Sequence, residues 1–79
     1  MTDMLQEILQ EIHPGIDYQH ETALIDDGLL DSFNVIAIVT ELNGRFGIRI
    51  SISDLEPENF NSMQAIQALV ERHRQKQSR

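Results

Sequence analysis

Residues 32–46 limit the possible folds of this chain most strongly, because their apolar side chains recur at the spacing of an α-helix. A helix of this kind buries at least one apolar stripe against other elements. The predicted buried stripe consists of Val35, Ile38, Val39, Leu42 and Phe46. A second, smaller stripe on another side consists of Phe33, Ile36, Ala37 and Thr40. We therefore predict a helix that begins near Ser32, stops near Phe46 and has more apolar surface than one buried face requires.

Helical spacing also occurs near both ends of the chain. A first helix, capped by Thr2 or Asp3, should end ahead of the Pro14-Gly15 pair. A last helix should begin after Ser62, whose side chain suits an N-cap. The predicted buried residues of this last helix are Met63, Ile66, Leu69 and Val70.

The connections between these helices are unequal in length. No helical period persists over residues 15–30, and so long a loop in a small domain tends to be functional. Its apolar residues should hold it against the helices and leave the Asp26-Asp27-Gly28 turn in solvent. Residues 48–52 should form an extended connector that buries Ile48, Ile50 or Ile52, and Pro57 favours one short helical turn. We predict an all-α fold: a small antiparallel bundle of three principal helices plus one short helix, with a long loop between helices one and two.

With 79 residues, the chain has room for one small domain. We expect that domain over residues 1–73, followed by a polar, frayed tail over residues 74–79. Cysteine is absent, which excludes disulfides and a thiol nucleophile of the protein's own. The three histidines lack the spacing of metal ligands, so no metal site is predicted. No apolar run approaches the roughly 20 residues of a membrane-spanning helix, and we expect a cytoplasmic protein without membrane insertion.

The charges are distributed unevenly along the chain. Residues 1–44 contain nine acids and no lysine or arginine, whereas residues 45–79 contain four acids and all six basic residues. One part of the surface should therefore be strongly negative. Such a face repels nucleic acid and attracts basic protein surfaces. The alternative is that it only keeps the protein in solution.

Ser32 lies at the junction between the long loop and the second predicted helix, between Asp31 and Phe33. A serine in the first turn of a helix has its hydroxyl in solvent, beside backbone N–H groups that have no partner inside the helix. The junction is thus a place where a group can be bound or attached. Two structural alternatives remain at this point: Ser32 is only the N-cap of the helix, or Asp31 is that N-cap.

The Asp31-Ser32-Phe33 tripeptide, preceded by LIDDGLL and followed by FGIRI at residues 46–50, resembles the attachment motif of the acyl carrier protein family. The resemblance covers nearly the whole chain. In that family the serine of an Asp-Ser-Leu or Asp-Ser-Met tripeptide carries 4′-phosphopantetheine, whose thiol holds acyl or aminoacyl groups as thioesters. The resemblance implies covalent attachment of this cofactor to Ser32, with Asp31 and Phe33 as the flanking site residues. Residues 46–62 are more similar to the D-alanyl carrier proteins of teichoic acid modification than to fatty acid carriers.

The predicted second helix differs from that of fatty acid carriers, which usually have several acids along it where basic partners dock. Here Glu41 is its only acid. We expect instead a more apolar contact, with the loop acids supplying the charge. The predicted partner-binding residues are Asp26, Asp27, Ile36, Ala37 and Glu41.

The resemblance implies a stand-alone carrier protein without catalytic residues. A phosphopantetheinyl transferase would attach the cofactor, an acyl- or aminoacyl-loading ligase would charge it, and a downstream transferase would take the group. We expect a monomer that binds no nucleic acid. The alternative is an unmodified acidic helical adaptor domain that binds a basic protein partner. A small enzyme is disfavoured, because the sequence offers no cysteine, metal cluster or nucleophile–base pair.

Overall fold

The computed structural model describes residues 2–77 and shows four α-helices. They are α1 (Thr2–Ile12), α2 (Ser32–Phe46), α3 (Pro57–Phe60) and α4 (Met63–Gln77), and a single 3-10 turn covers Ile52–Asp54. Residues 2–77 contain no β-strand. The all-α bundle with three principal helices, one short helix and a long loop after the first is confirmed.

The loop after α1 folds back onto that helix. Gly15 has a φ of 92°, in the left-handed region that glycine adopts without strain, and this reverses the chain. Tyr18 is 1% exposed, and its hydroxyl donates to the carbonyl oxygens of His13 at 2.6 Å and Leu9 at 3.2 Å. Leu9 lies in the last turn of α1, where its carbonyl also accepts from His13 N–H at 2.9 Å, and His13 directly follows the helix. Tyr18 therefore holds the start of the loop against the C-terminal end of α1.

Helix α2 has defined signals at both ends. Asp31 is its N-cap, with extended backbone, and Gly47 ends it in the left-handed conformation at φ 64°. On its buried side Val35, Ile38 and Leu42 are 9% exposed or less. The other two residues of the predicted stripe, Val39 and Phe46, are only partly buried and pack against the edge of the core.

The segment after α2 is an extended connector, as predicted. Ile48 and Ile50 are buried, whereas Ile52 is 87% exposed because it opens the 3-10 turn. The side chain of Asn43 in α2 makes the backbone hydrogen bonds that a neighbouring strand would otherwise make. Its Oδ1 accepts from Ile50 N–H at 2.9 Å, and its Nδ2 donates to Ile50 O at 3.4 Å. The alternating sequence therefore needs no sheet to satisfy its backbone.

Helix α3 begins at Pro57, and α4 follows Ser62, whose Oγ accepts from Ala65 N–H at 3.0 Å. Both starts are as predicted. One core joins all the principal helices and the long loop, and burying each aliphatic side chain in it contributes about 1.5–3 kcal/mol. The fully buried residues include Leu5, Ile8 and Leu9 of α1, Ile38 and Leu42 of α2, Ile66, Leu69 and Val70 of α4, and Tyr18 and Leu24 of the loop.

Helices α2 and α4 run in the same direction. Near the start of α4, Asn61 bonds to the loop that leads into α2, and at the other end the Arg74 guanidinium lies 5.8 Å from the centre of the Phe46 ring. The connection over residues 47–62 is long enough to return along the bundle. The starts of α2 and α4 therefore lie at one end of the bundle and their last turns at the other.

Helix α4 extends further than expected. It continues to Gln77, so residues 74–77 of the predicted frayed tail are helical, while residues 78 and 79 lie outside the described part of the chain. Arg74 packs over Phe46, and its Nη1 lies 3.7 Å from Glu71 Oε1. These contacts stabilise the last turns.

Candidate functional site

The start of α2 is capped by residues on either side of Ser32. Asn34 N–H donates to Asp31 Oδ1 at 2.8 Å, and Asp31 N–H donates to Asn34 Oδ1 at 3.1 Å, which is a reciprocal capping box. Ser32 is the first helical residue and is exposed. Its hydroxyl has no hydrogen-bond partner among residues 2–77. Asp31 is thus the N-cap, and the Ser32 hydroxyl is left free.

Two backbone N–H groups beside that hydroxyl also remain open. The capping box uses the N–H of Asn34, and Val35 N–H donates to Asp31 O at 3.0 Å. Within the described chain, the N–H groups of Ser32 and Phe33 make no hydrogen bond. The positive end of the helix dipole lies at the same place, so an anion bonded to Ser32 would be favoured there.

An apolar cavity of about 250 Å³ opens beside Ser32. Its apolar lining residues are Ile25, Leu30, Val35, Ile36, Leu55, Pro57 and Phe60, and its polar ones are Asp31, Ser32 and Glu56. The cavity lies between the end of the long loop, the first turns of α2 and the segment that includes α3. A group attached to Ser32 therefore has both solvent and an apolar surface within reach.

The predicted partner-binding residues do not all have the same environment. Asp26 and Asp27 are exposed in the loop, and Ile36 is 56% exposed on α2. Ala37 is half-buried. Phe33, predicted as a flanking site residue, is 83% exposed and is the most exposed large apolar side chain of α2.

Glu41 differs from the other predicted partner residues because it already has a basic partner. Arg45 Nε donates to Glu41 Oε2 at 3.0 Å, and Arg45 Nη2 lies 3.9 Å from Glu11 Oε2. The guanidinium therefore neutralises part of the acidic surface along α2. Glu41 also lies nine positions beyond Ser32, or about 13 Å along the helix. Glu41 is thus both paired with a basic residue and separated from Ser32 along the helix.

Two features of the site have no local signal in the sequence. Glu56 and Pro57 reach the cavity because the chain returns from α2 to α3, and a hydrogen bond with Glu58 raises the pKa of the Glu56 carboxyl. Asn61 bonds to the loop across 35 residues or more. The only sequence hint is the SDLEPENFN segment at residues 53–61, in which Pro57 favours a short helical turn.

Among residues 2–77, no group of three or more His, Asp or Glu side chains is arranged to hold a metal ion. None of the helices in this range is both long and apolar enough to cross a membrane.

Comparison with known proteins identifies the family. Residues 1–72 match the family described as "Phosphopantetheine attachment site". The chain is 27% identical over 73 residues to the D-alanyl carrier protein of Lactococcus lactis subsp. cremoris (strain MG1363), covering 90% of this chain and 92% of that protein. It is 32% identical over 60 residues to the D-alanyl carrier protein of Bacillus cereus (strain B4264), covering 73% and 71% of the two chains. The Bacillus velezensis protein of the same name is 28% identical over 60 residues, covering 76% and 74%.

The geometry at the start of α2 fits the group that this family carries. Formation of a phosphodiester requires a free hydroxyl, and its charge is stabilised by unpaired N–H groups. Both features are present at Ser32. An apolar cavity of about 250 Å³ adjoins this hydroxyl. Carrier proteins of this kind work with a phosphopantetheinyl transferase and with ligases. This chain belongs to the phosphopantetheine attachment-site family and is a carrier protein that bears covalent 4′-phosphopantetheine.

Proposed function

We propose that Ser32 carries the 4′-phosphopantetheine and that the chain presents acyl or aminoacyl thioesters to partner enzymes. The observation that carries the proposal is the Ser32 hydroxyl, which is exposed and unbonded at the first position of α2 while Asp31 performs the capping. A serine that served as the cap would have its oxygen engaged with a backbone N–H. Ser32 is free of that role.

During attachment, Ser32 contributes only its hydroxyl. Its Oγ forms the bond to the pantetheine-bearing phosphorus of coenzyme A as the pyrophosphate P–O bond breaks, and adenosine 3′,5′-bisphosphate leaves. The serine proton passes to a base of the phosphopantetheinyl transferase, because no described side chain bonds to the hydroxyl here. Afterwards the N–H groups of Ser32 and Phe33 stabilise the phosphate charge. The pantetheine thiol, when attached, supplies the thioester chemistry that a chain without cysteine lacks. The protein itself performs no catalysis.

The cargo that the relatives favour is D-alanine, since several of them are D-alanyl carrier proteins. An aminoacyl group carries an ammonium, which an apolar cavity disfavours. We therefore expect such a cargo to stay in solvent, close to the carboxylates of Asp31 and Glu56 at the cavity. An apolar acyl group would instead be drawn inward.

The partner surface that we propose combines Asp26 and Asp27 with the apolar patch of Phe33, Ile36 and Ala37. Exposure of the loop acids and of two of the apolar side chains supports this choice. Glu41 contributes less, because Arg45 already neutralises it. The partners on this view are the transferase, a loading ligase and a downstream transferase, each approaching a cytoplasmic monomer. The acidic first half of the chain disfavours nucleic acid as a partner.

Intact mass spectrometry tests the attachment site. We expect incubation with coenzyme A and a broad-specificity phosphopantetheinyl transferase to add the mass of one phosphopantetheine, and the Ser32→Ala variant to gain none. Ser53→Ala is a matched control, because it also removes an exposed hydroxyl, and it should gain the full mass. A gain that persists in Ser32→Ala would place the cofactor elsewhere. No gain under conditions that modify a control carrier would favour the unmodified adaptor.

The cargo is tested on the modified protein. A D-alanine-activating ligase should add one D-alanyl group that hydroxylamine removes, as a thioester requires. The same ligase should add nothing to Ser32→Ala. Loading by a fatty-acid ligase in place of the D-alanine ligase would overturn the choice of cargo and leave the attachment site intact.

A further inference from the structure

Asn61 lies between α3 and α4 and makes four hydrogen bonds to three consecutive residues of the long loop. Its backbone carbonyl accepts from Leu24 N–H at 2.9 Å. Its side-chain Oδ1 accepts from Ile25 N–H at 3.0 Å and from Asp26 N–H at 3.1 Å, and its Nδ2 donates to Asp26 Oδ2 at 3.2 Å. One half-buried amide thus satisfies two backbone donors and a carboxylate at a distant point of the chain.

The segment that Asn61 binds leads directly to Ser32. Leu30 N–H donates to Leu24 O at 2.9 Å, which closes residues 24–30 into a ring. Leu24 and Leu30 anchor the base of this ring in the core, with 0% and 2% exposure. Asp31, the N-cap of α2, follows at once. The position of the ring relative to the start of α2 therefore depends on its base, where Asn61 binds.

The bonding pattern requires an amide. Two converging N–H groups need an acceptor, and the Asp26 carboxylate needs a donor, and the short side chain of asparagine supplies both. An aspartate at this position would keep the acceptor but set a second carboxylate beside Asp26. An alanine would leave the N–H groups of Ile25 and Asp26 without this partner.

We infer that Asn61 is a positioning residue for phosphopantetheine transfer: it fixes the ring of residues 24–30 so that Asp26 and Asp27 are presented together with Ser32 to the transferase. The inference rests on the proposed role of Ser32. Asn61 touches neither Ser32 nor the cavity, so its effect is on the approach of the enzyme and not on the reacting oxygen.

Transfer kinetics with the full chain test this inference. In Asn61→Ala we expect the KM of the transferase for this protein to rise about tenfold. A tenfold change corresponds to the net free energy of roughly one hydrogen bond, here one that positions the loop. The kcat should change less than about twofold, because the Ser32 hydroxyl and the α2 cap stay intact. Asn61→Asp should lie between Ala and the wild type, since it keeps the two backbone bonds.

Asn59→Ala is the matched control. Asn59 also uses both ends of its amide, donating to Asp54 O at 2.9 Å and accepting from Arg72 at 3.2 Å, but it contacts no loop residue. Its variant should keep the wild-type KM.

Hydrogen exchange on the unmodified protein gives a readout that needs no transferase. In Asn61→Ala the amides of Ile25 and Asp26 should exchange at least about tenfold faster, with the protection of Ile38 and Leu69 in the core unchanged. Asn61→Asp, which retains the acceptor, should keep most of that protection even if the alanine variant folds poorly.

The outcomes separate the two proposals. Unchanged KM and unchanged exchange in both Asn61 variants would overturn the role of Asn61, while the modification of Ser32 would stand. An equal loss of protection throughout the core would also overturn it, since Asn61 would then act on global stability alone. If the wild type is not modified at Ser32, the proposed attachment site fails, and exchange still reports whether Asn61 holds the loop.

Discussion

Asp31 and Asn34 exchange two hydrogen bonds across the first turn of α2, with N···O distances of 2.8 and 3.1 Å. This reciprocal pair encloses Ser32 without using its hydroxyl. A carrier protein needs an attachment oxygen that is held in place and yet free, and these requirements conflict if the serine is itself the cap. Here the conflict is removed because the cap, Asp31, and the proposed attachment point, Ser32, are adjacent residues.

Asp31→Ala should destabilise the protein by about 1 kcal/mol, because it removes the N-cap of α2. Urea unfolding followed by circular dichroism measures the change. Asp27→Ala removes the same charge from the neighbouring turn without breaking a side-chain hydrogen bond, and it should stay within about 0.5 kcal/mol of the wild type. Equal losses in the two variants would mean that charge, and not capping, is the cause.

Substitution of the proposed partner surface should impair transfer without unfolding the chain. We expect Ile36→Asp and Asp27→Lys each to lower the kcat/KM of the phosphopantetheinyl transferase about tenfold. Met4→Asp is the control, since Met4 is an apolar side chain of α1 with 42% exposure. Glu41→Gln should have a smaller effect than Asp27→Lys, because Arg45 already binds Glu41. Unchanged rates in both Ile36→Asp and Asp27→Lys would contradict the proposed partner surface.

Tyr18 is the only tyrosine of a chain without tryptophan, so its ionisation can be followed directly by absorbance. Burial raises the pKa of its hydroxyl above the usual value of about 10. The folded state then holds the proton more tightly than the unfolded state. The associated stability is present below pH 10 and is lost as the pH rises through the folded pKa. We expect tyrosinate to appear at higher pH in the native protein than in urea, and coincident titrations would contradict this prediction.

Asp54 should give the protein a sensitivity to acid. The Ser51 N–H that donates to its carboxylate at 3.1 Å holds the pKa of Asp54 below its usual range, and His73, whose Nε2 lies 2.9 Å from Oδ2, adds to the effect. A carboxyl with a depressed folded pKa stabilises the native state above its unfolded pKa of about 3.9. That contribution is lost as the pH falls through the folded value.

The urea midpoint of Asp54→Asn should therefore lie below that of the wild type near pH 6, and the difference should shrink below about pH 4. Asp17→Asn is the control, because Asp17 pairs with His20 in an exposed position, with side chains 68% and 80% exposed. Such pairs contribute little to stability. A constant difference between Asp54→Asn and the wild type down to pH 2.5 would contradict the assignment.

Interactions between residues close in sequence allowed several helix starts and the buried face of α2 to be predicted. The apolar period of α2, the cap at Ser62, the turn at Pro57 and the loop-to-helix junction at Ser32 depend on residues within one or two turns of each other, so the sequence determined them. The Asp31-Ser32-Phe33 motif and its flanking segments resemble those of the carrier family, and the family match over residues 1–72 confirms that resemblance.

The tertiary structure alone decided how these parts meet. The path of the chain set α2 and α4 parallel and brought Leu55 and Pro57 into the lining of the cavity. It also placed Arg45 against Glu41. It also brought Asn61 to Ile25, across 36 residues. Such contacts depend on the path of the whole chain and on which surfaces the core leaves uncovered, and a local pattern carries no information about either. Both the sequence and the structure were needed at Ser32. The sequence predicted that this serine lies at the start of a helix, and only the structure showed that Asp31 and Asn34 leave its hydroxyl unbonded.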